Sequence, residues 1–140
     1  MNRIMKKLPL LLLLSLCSSA TLSASDAYKC NIKASYRLGA DGMLFIDEDK
    51  AYGGYEKGFT FDRKTGRMLG GDGGMLGGGE TFTILQQGSD THAFKASFVQ
   101  EHYDWILSFW VTEYAETYNK PFVFTQLPHI GVFSGTCINI

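Results

Sequence analysis

Lys29-Cys30-Asn31-Ile32-Lys33-Ala34-Ser35-Tyr36-Arg37-Leu38 alternates almost without fault along its length. Cys30, Ile32, Ala34, Tyr36 and Leu38 fall on one face, and Lys29, Asn31, Lys33, Ser35 and Arg37 on the other. A period of two with a cationic polar face predicts a half-buried antiparallel strand. Its cysteine is the first of two that remain once an N-terminal export signal is removed. The other is Cys137, close to the end of the chain.

The signal is read from Arg3, Lys6 and Lys7, from the apolar run Leu8 to Leu16, and from the small residues that follow, Ala20, Ala24 and Ala27 among them. Residues 1–24 are assigned to it, with cleavage as late as Ala27 allowed, and residues 25–140 to a single domain. Leu16 before Cys17 does not suit a lipidation box, so Cys17 is expected to leave with the signal. The run is too short to span a bilayer, and no later stretch approaches the roughly 20 apolar residues a membrane helix needs. Export implies an oxidising compartment, periplasmic or extracellular, in which Cys30 and Cys137 pair.

Working outward, Gly39-Ala40-Asp41-Gly42 turns the chain into a returning strand at Met43 to Asp47. Phe59-Thr60-Phe61, the turn Asp62 to Gly66 and Arg67 to Leu69 make a hairpin. Seven glycines between Gly70 and Gly79 predict a loop. Glu80 to Gln86 and His92 to Gln100 read as strands, with Phe94, Ala96 and Phe98 inward. Asp104 to Ala115 is read as a strand buried on both faces, with a helix as the alternative. Phe122 to Thr125 and Gly131 to Ile138 complete about eight strands. The expected fold is all-β, a small antiparallel barrel or sandwich, and a bond between first and last strands favours the barrel.

Tests for chemistry come out negative. Gly79 is followed by Glu80 and Thr81 where a phosphate loop requires lysine and a hydroxyl residue, and no dinucleotide pattern is completed. Asp47-Glu48-Asp49 is followed by Ala51 and Tyr52 where a calcium loop of the EF-hand kind needs an oxygen ligand and glycine. His92, His102 and His129 show no metal-ligand spacing, and only convergence of His92 and His102 with Asp104 would make a metal-dependent enzyme. No serine stands in a nucleophile-elbow pattern. The charges are scattered and give no basic stripe, so nucleic acid is not an expected partner. Catalytic residues, metal ligands and cofactors are assigned to none. Tyr52, Tyr55 and Phe59, set among Gly53, Gly54 and Gly58, are the candidate recognition residues.

Phe59-Thr60-Phe61-Asp62-Arg63-Lys64-Thr65-Gly66 and the ending Phe133-Ser134-Gly135-Thr136-Cys137 resemble a group of small exported Gram-negative proteins of unassigned activity, which carry an FxxDRxTG-like hairpin and a terminal SGTC. The resemblance implies no catalytic residue. A looser likeness links the chain to periplasmic lysozyme inhibitors, small barrels with a terminal disulfide. The Gly53-Gly54-Tyr55-Glu56-Lys57-Gly58 stretch comes earlier than their inhibitory segment and lacks its serine. The expected function is therefore an exported binding or inhibitor-like protein without catalysis. The alternatives are a barrel that carries a small apolar ligand, and the metal-dependent enzyme.

Overall fold

The computed structural model describes residues 26–47, 58–70, 79–100, 102, 104–127 and 131–140. All regular structure among them is β: β1 (Ala27–Leu38), β2 (Leu44–Ile46), β3 (Phe59–Asp62), β4 (Met68–Leu69), β5 (Thr83–Ser89), β6 (His92–Gln100), β7 (Trp105–Val111), β8 (Lys120–Leu127) and β9 (Gly131–Asn139). The antiparallel sheet runs β4-β3-β1-β9-β8-β7-β6-β5, with β2 paired to β1 outside that path. Its two edges meet. Met68 N–H donates to Glu80 O at 3.1 Å, Gly79 N–H to Met68 O at 3.2 Å and Phe82 N–H to Gly66 O at 2.8 Å. An antiparallel bridge joins Arg67 to Thr81. The result is an up-and-down ring in which first and last strands are neighbours, the closure that removes exposed sheet edges.

Cys30 faces Cys137 directly in the β1–β9 ladder, and the two are bonded across a separation of 107 residues. Both sulfurs lie in the core. In the chain-entropy picture a loop of that size is worth on the order of 5 kcal/mol.

The interior is aromatic and filled. Phe109, at the middle of β7, meets the rings of Tyr28, Phe59, Phe61, Phe94 and Phe122 at centroid distances of 4.8–6.2 Å. These edge-on and tilted geometries are the ones aromatic quadrupoles prefer. Gly135 leaves room for this packing: a Cβ there would stand 2.0 Å from Asn31 O and 2.8 Å from Phe122 Cε1.

Two expectations about faces are corrected. The alternation of β1 does not hold to Leu38, because Ile32 pairs with Gly135 but Ala34 with Ser134, leaving Lys33 as a bulge. One extra residue reverses the pleat. Ser35 now shares the inner face with its partner Phe133, while Ala34, Tyr36 and Leu38 turn outward. Secondly, β7 is a strand but is buried on one face only. Leu107, Phe109 and Val111 are buried, whereas Ile106 and Trp110 are exposed, with Lys95 Nζ 5.0 Å from the Trp110 ring centre.

Candidate functional site: the two ends of the barrel

One end of the barrel collects the turns β3–β4, β5–β6 and β7–β8, together with the start of β1. The β3–β4 turn is the DRKTG stretch. Asp62 Oδ1 accepts from Lys64 N–H at 2.9 Å and Thr65 N–H at 2.8 Å. These donors, Thr65 first, hold the Asp62 carboxyl below its ordinary value despite some desolvation. Gly66 follows at φ 73°, and a Cβ there would sit 2.0 Å from Phe82 O, so the turn requires glycine for conformation and for space.

Arg63 points from this turn into the barrel mouth and is buried. Its Nη1 lies 3.3 Å from Glu113 Oε1, and its Nη2 donates to Gln87 O at 2.9 Å. The guanidinium also rests over the Tyr28 ring, 4.8 Å from its centre. The Tyr28 hydroxyl donates to Glu113 Oε1. Burial first, and that hydrogen bond second, push the Tyr28 phenol far above its ordinary value. Gln87 reaches the mouth because Leu85 is a second bulge, between the pairs Ile84–Ala96 and Gln86–Lys95. Lys120 Nζ ties down the β7–β8 turn by donating to Glu113 O at 2.9 Å and Ala115 O at 2.6 Å. Every member of the Tyr28–Arg63–Glu113 cluster is engaged with another, so the arrangement acts as a plug joining four segments of chain. Sequence reading took Arg63 for a turn residue and passed over Glu113 altogether. Their separation of 50 positions left no local signal.

The opposite end carries the β1–β2 hairpin. Gly39 N–H donates to Met43 O at 2.8 Å, and Asp47 N–H to Ser35 O at 2.9 Å. Asp41 Oδ1 accepts from Met43 N–H at 3.0 Å within the turn. Arg37 Nε meets Asp47 Oδ2 at 2.5 Å. The hairpin's apolar residues are left in water: Met43 is 67% exposed, Leu44 54%, Phe45 49% and Ile46 64%. On the outer wall at the same end, Val99 pairs with Ile106 and Ile106 with Leu127, and all three are exposed.

The candidate recognition residues divide. Phe59 is a core residue, 5% exposed, in ring contact with Phe109, Phe122 and Phe124, and is thereby corrected as a surface group. The glycine beside it, Gly58, is the point where the chain passes against Cys30. Tyr52 and Tyr55 lie outside the described residues, as do Asp49 and His129 and most of the Gly70–Gly79 stretch. His92 begins β6, where its Nδ1 is 2.8 Å from Thr91 Oγ1, while His102 and Asp104 follow the far end of that strand. Nine residues of strand separate them by roughly 26 Å. His92 and His102 therefore sit at opposite ends of the barrel. Among the described residues no group of three or more His, Cys, Asp or Glu side chains is placed to hold a metal ion, and no helix is long and apolar enough to cross a membrane. Comparison of the chain with protein-family models, with curated proteins and with solved structures finds no match.

Proposed function

We propose that this protein is an exported binding module, periplasmic or secreted, that acts by contact and performs no chemistry. Its contact element is the β1–β2 hairpin from Leu38 to Asp47. The observation that carries this reading is the run Met43–Ile46, four consecutive large apolar residues that are all left in water. An exposed apolar run of that kind is the surface signature of a partner site. An inhibitor-like role is the case in which the partner is an enzyme. The carrier alternative has less support, because rings occupy the space around Phe109 where a ligand would lie. The metal-dependent enzyme has less still, given the length of β6 between His92 and His102.

The test is crosslinking in intact cells that export the full precursor, with a photoreactive residue at Met43 or, as a control, at Lys95 on the wall of the barrel. A discrete adduct from position 43 that is absent from position 95 is expected. Adducts of equal yield from both positions, or none from position 43, would remove the hairpin as the contact element. N-terminal sequencing of the exported material checks processing near Ala24 or Ala27.

A further inference from the structure

Resting on the export half of that reading, we infer that the precursor is processed at the Ala20–Thr21 bond, because the fold itself uses every residue from Asp26 onward. Asp26 and Ala27 are held by main-chain bonds. Ala27 N–H donates to Ile140 O at 3.4 Å and Ile140 N–H to Ala27 O at 2.9 Å, which extends the β1–β9 ladder to its last pair. Asp26 O accepts from Arg63 N–H at 2.8 Å, in the turn that sends the Arg63 side chain into the plug. Ala27 also lies opposite Asp62 in the β1–β3 ladder. The exposed ion pair of Asp26 with Lys64, at 2.7 Å, adds little to this.

Three alanines offer a small residue for the last place of a leader: Ala20, Ala24 and Ala27. Such sites take a second small residue two places earlier. Ser18 supplies it for Ala20 and Ser25 for Ala27, whereas Ala24 has Leu22 there. Spacing thus favours Ala20 and Ala27, and the fold separates them. A cut after Ala27 would carry away the acceptor of Arg63 N–H and both bonds to Ile140. Backbone groups that lose their partners weaken the sheet at that corner. Tyr28, 0% exposed, would become the first residue. Its ring lies under the Arg63 guanidinium and its hydroxyl donates to Glu113, so the plug would hang from a strand end, where chains fray. The peptidase meets an unfolded chain, and the fold acts through the product: only a chain cut ahead of Asp26 closes all of these bonds. At Ala20, water adds across the amide to leave a carboxylate on Ala20 and an ammonium on Thr21, five positions before Asp26. The catalyst is a peptidase of the class that removes export signals.

The experiment exports the full precursor and measures the intact mass of the folded product. A chain beginning at Thr21 is expected. A start at Ser25 would overturn the choice of Ala20, and a start at Tyr28 would overturn the need for Asp26 and Ala27 as well. Uncut precursor retained in the cytoplasm would overturn the site together with the export reading, whereas a failed crosslink at Met43 leaves the mass result standing. In the wild-type product the Arg63 and Ile140 amides are expected to exchange slowly with solvent. Fast exchange there beside protected β6–β8 amides would overturn the structural half of the argument. Two deletions sharpen it: removing residues 21–25 sets Asp26 directly after Ala20, and removing residues 21–27 sets Tyr28 there. With masses verified, the first product is expected to melt within about 2 °C of wild type and the second about 10 °C lower. Equal melting of the two would overturn the role given to Asp26 and Ala27.

Discussion

The two ends of this barrel handle difficult side chains in opposite ways. At the plugged end, a charge is taken out of water and paired: Arg63 with Glu113 and Gln87, Glu113 with Tyr28. At the hairpin end, apolar residues are left in water with nothing described over Met43–Ile46. A buried ion pair costs desolvation that its attraction only partly offsets, so it marks a place where geometry must be fixed. An exposed apolar strand costs solubility and invites association, which is why the proposed contact element is placed there. The difference separates the part of the chain that fixes the fold from the part proposed to meet a partner.

That separation can be broken experimentally. Reduction, or Cys30→Ser with Cys137→Ser, is expected to have the largest effect, a loss on the order of 5 kcal/mol in denaturant unfolding. A loss below about 1 kcal/mol would mean that the ring's seam is held by its ladder alone. Arg63→Ala should cost about 3–5 kcal/mol, since it strands Glu113 in a buried site, and Arg63→Ala with Glu113→Ala should recover part of that loss. Additive losses in the double-mutant cycle would contradict the plug. Asp62→Ala is expected to cost about 1 kcal/mol through the lost turn cap. The same carboxyl sets a pH dependence. Because its folded value is depressed, its contribution is complete above the unfolded value near 4 and fades as pH falls through the lower folded value. Asp62→Asn should therefore flatten the acid limb of a stability–pH curve. Phe45→Ser should be the mildest change, within about 0.5 kcal/mol of wild type, yet it should reduce adducts from position 43. A large destabilisation by Phe45→Ser would assign the hairpin to the fold after all.

Local pattern made much of this legible. Period-two alternation found the strands, Asp62 and Gly66 found the tight turn, and two cysteines in an export context found the seam. What escaped was decided across strands. The bulge at Lys33 depends on Gly135 and Asn31 meeting a hundred positions apart, so nothing within β1 announces that its faces exchange there. Phe59 reads as a surface aromatic because glycines precede it, yet Gly58 lets the chain press against Cys30 and the Phe59 ring turns inward. Trp110 reads as buried because it is large and apolar, but a closed barrel has one inside, and Phe109 already fills it. The partnership of Arg63 with Glu113 is of the same kind, chemistry at a distance with no periodicity to reveal it.

The link between Cys30 and Cys137 makes a covalent ring of everything between them, nearly the entire folded domain. A protease that severs any one connection inside that ring adds a water and releases no fragment. Both halves stay attached until a reductant arrives. A single nick in a loop therefore leaves the strands on either side of it held together for as long as the disulfide lasts.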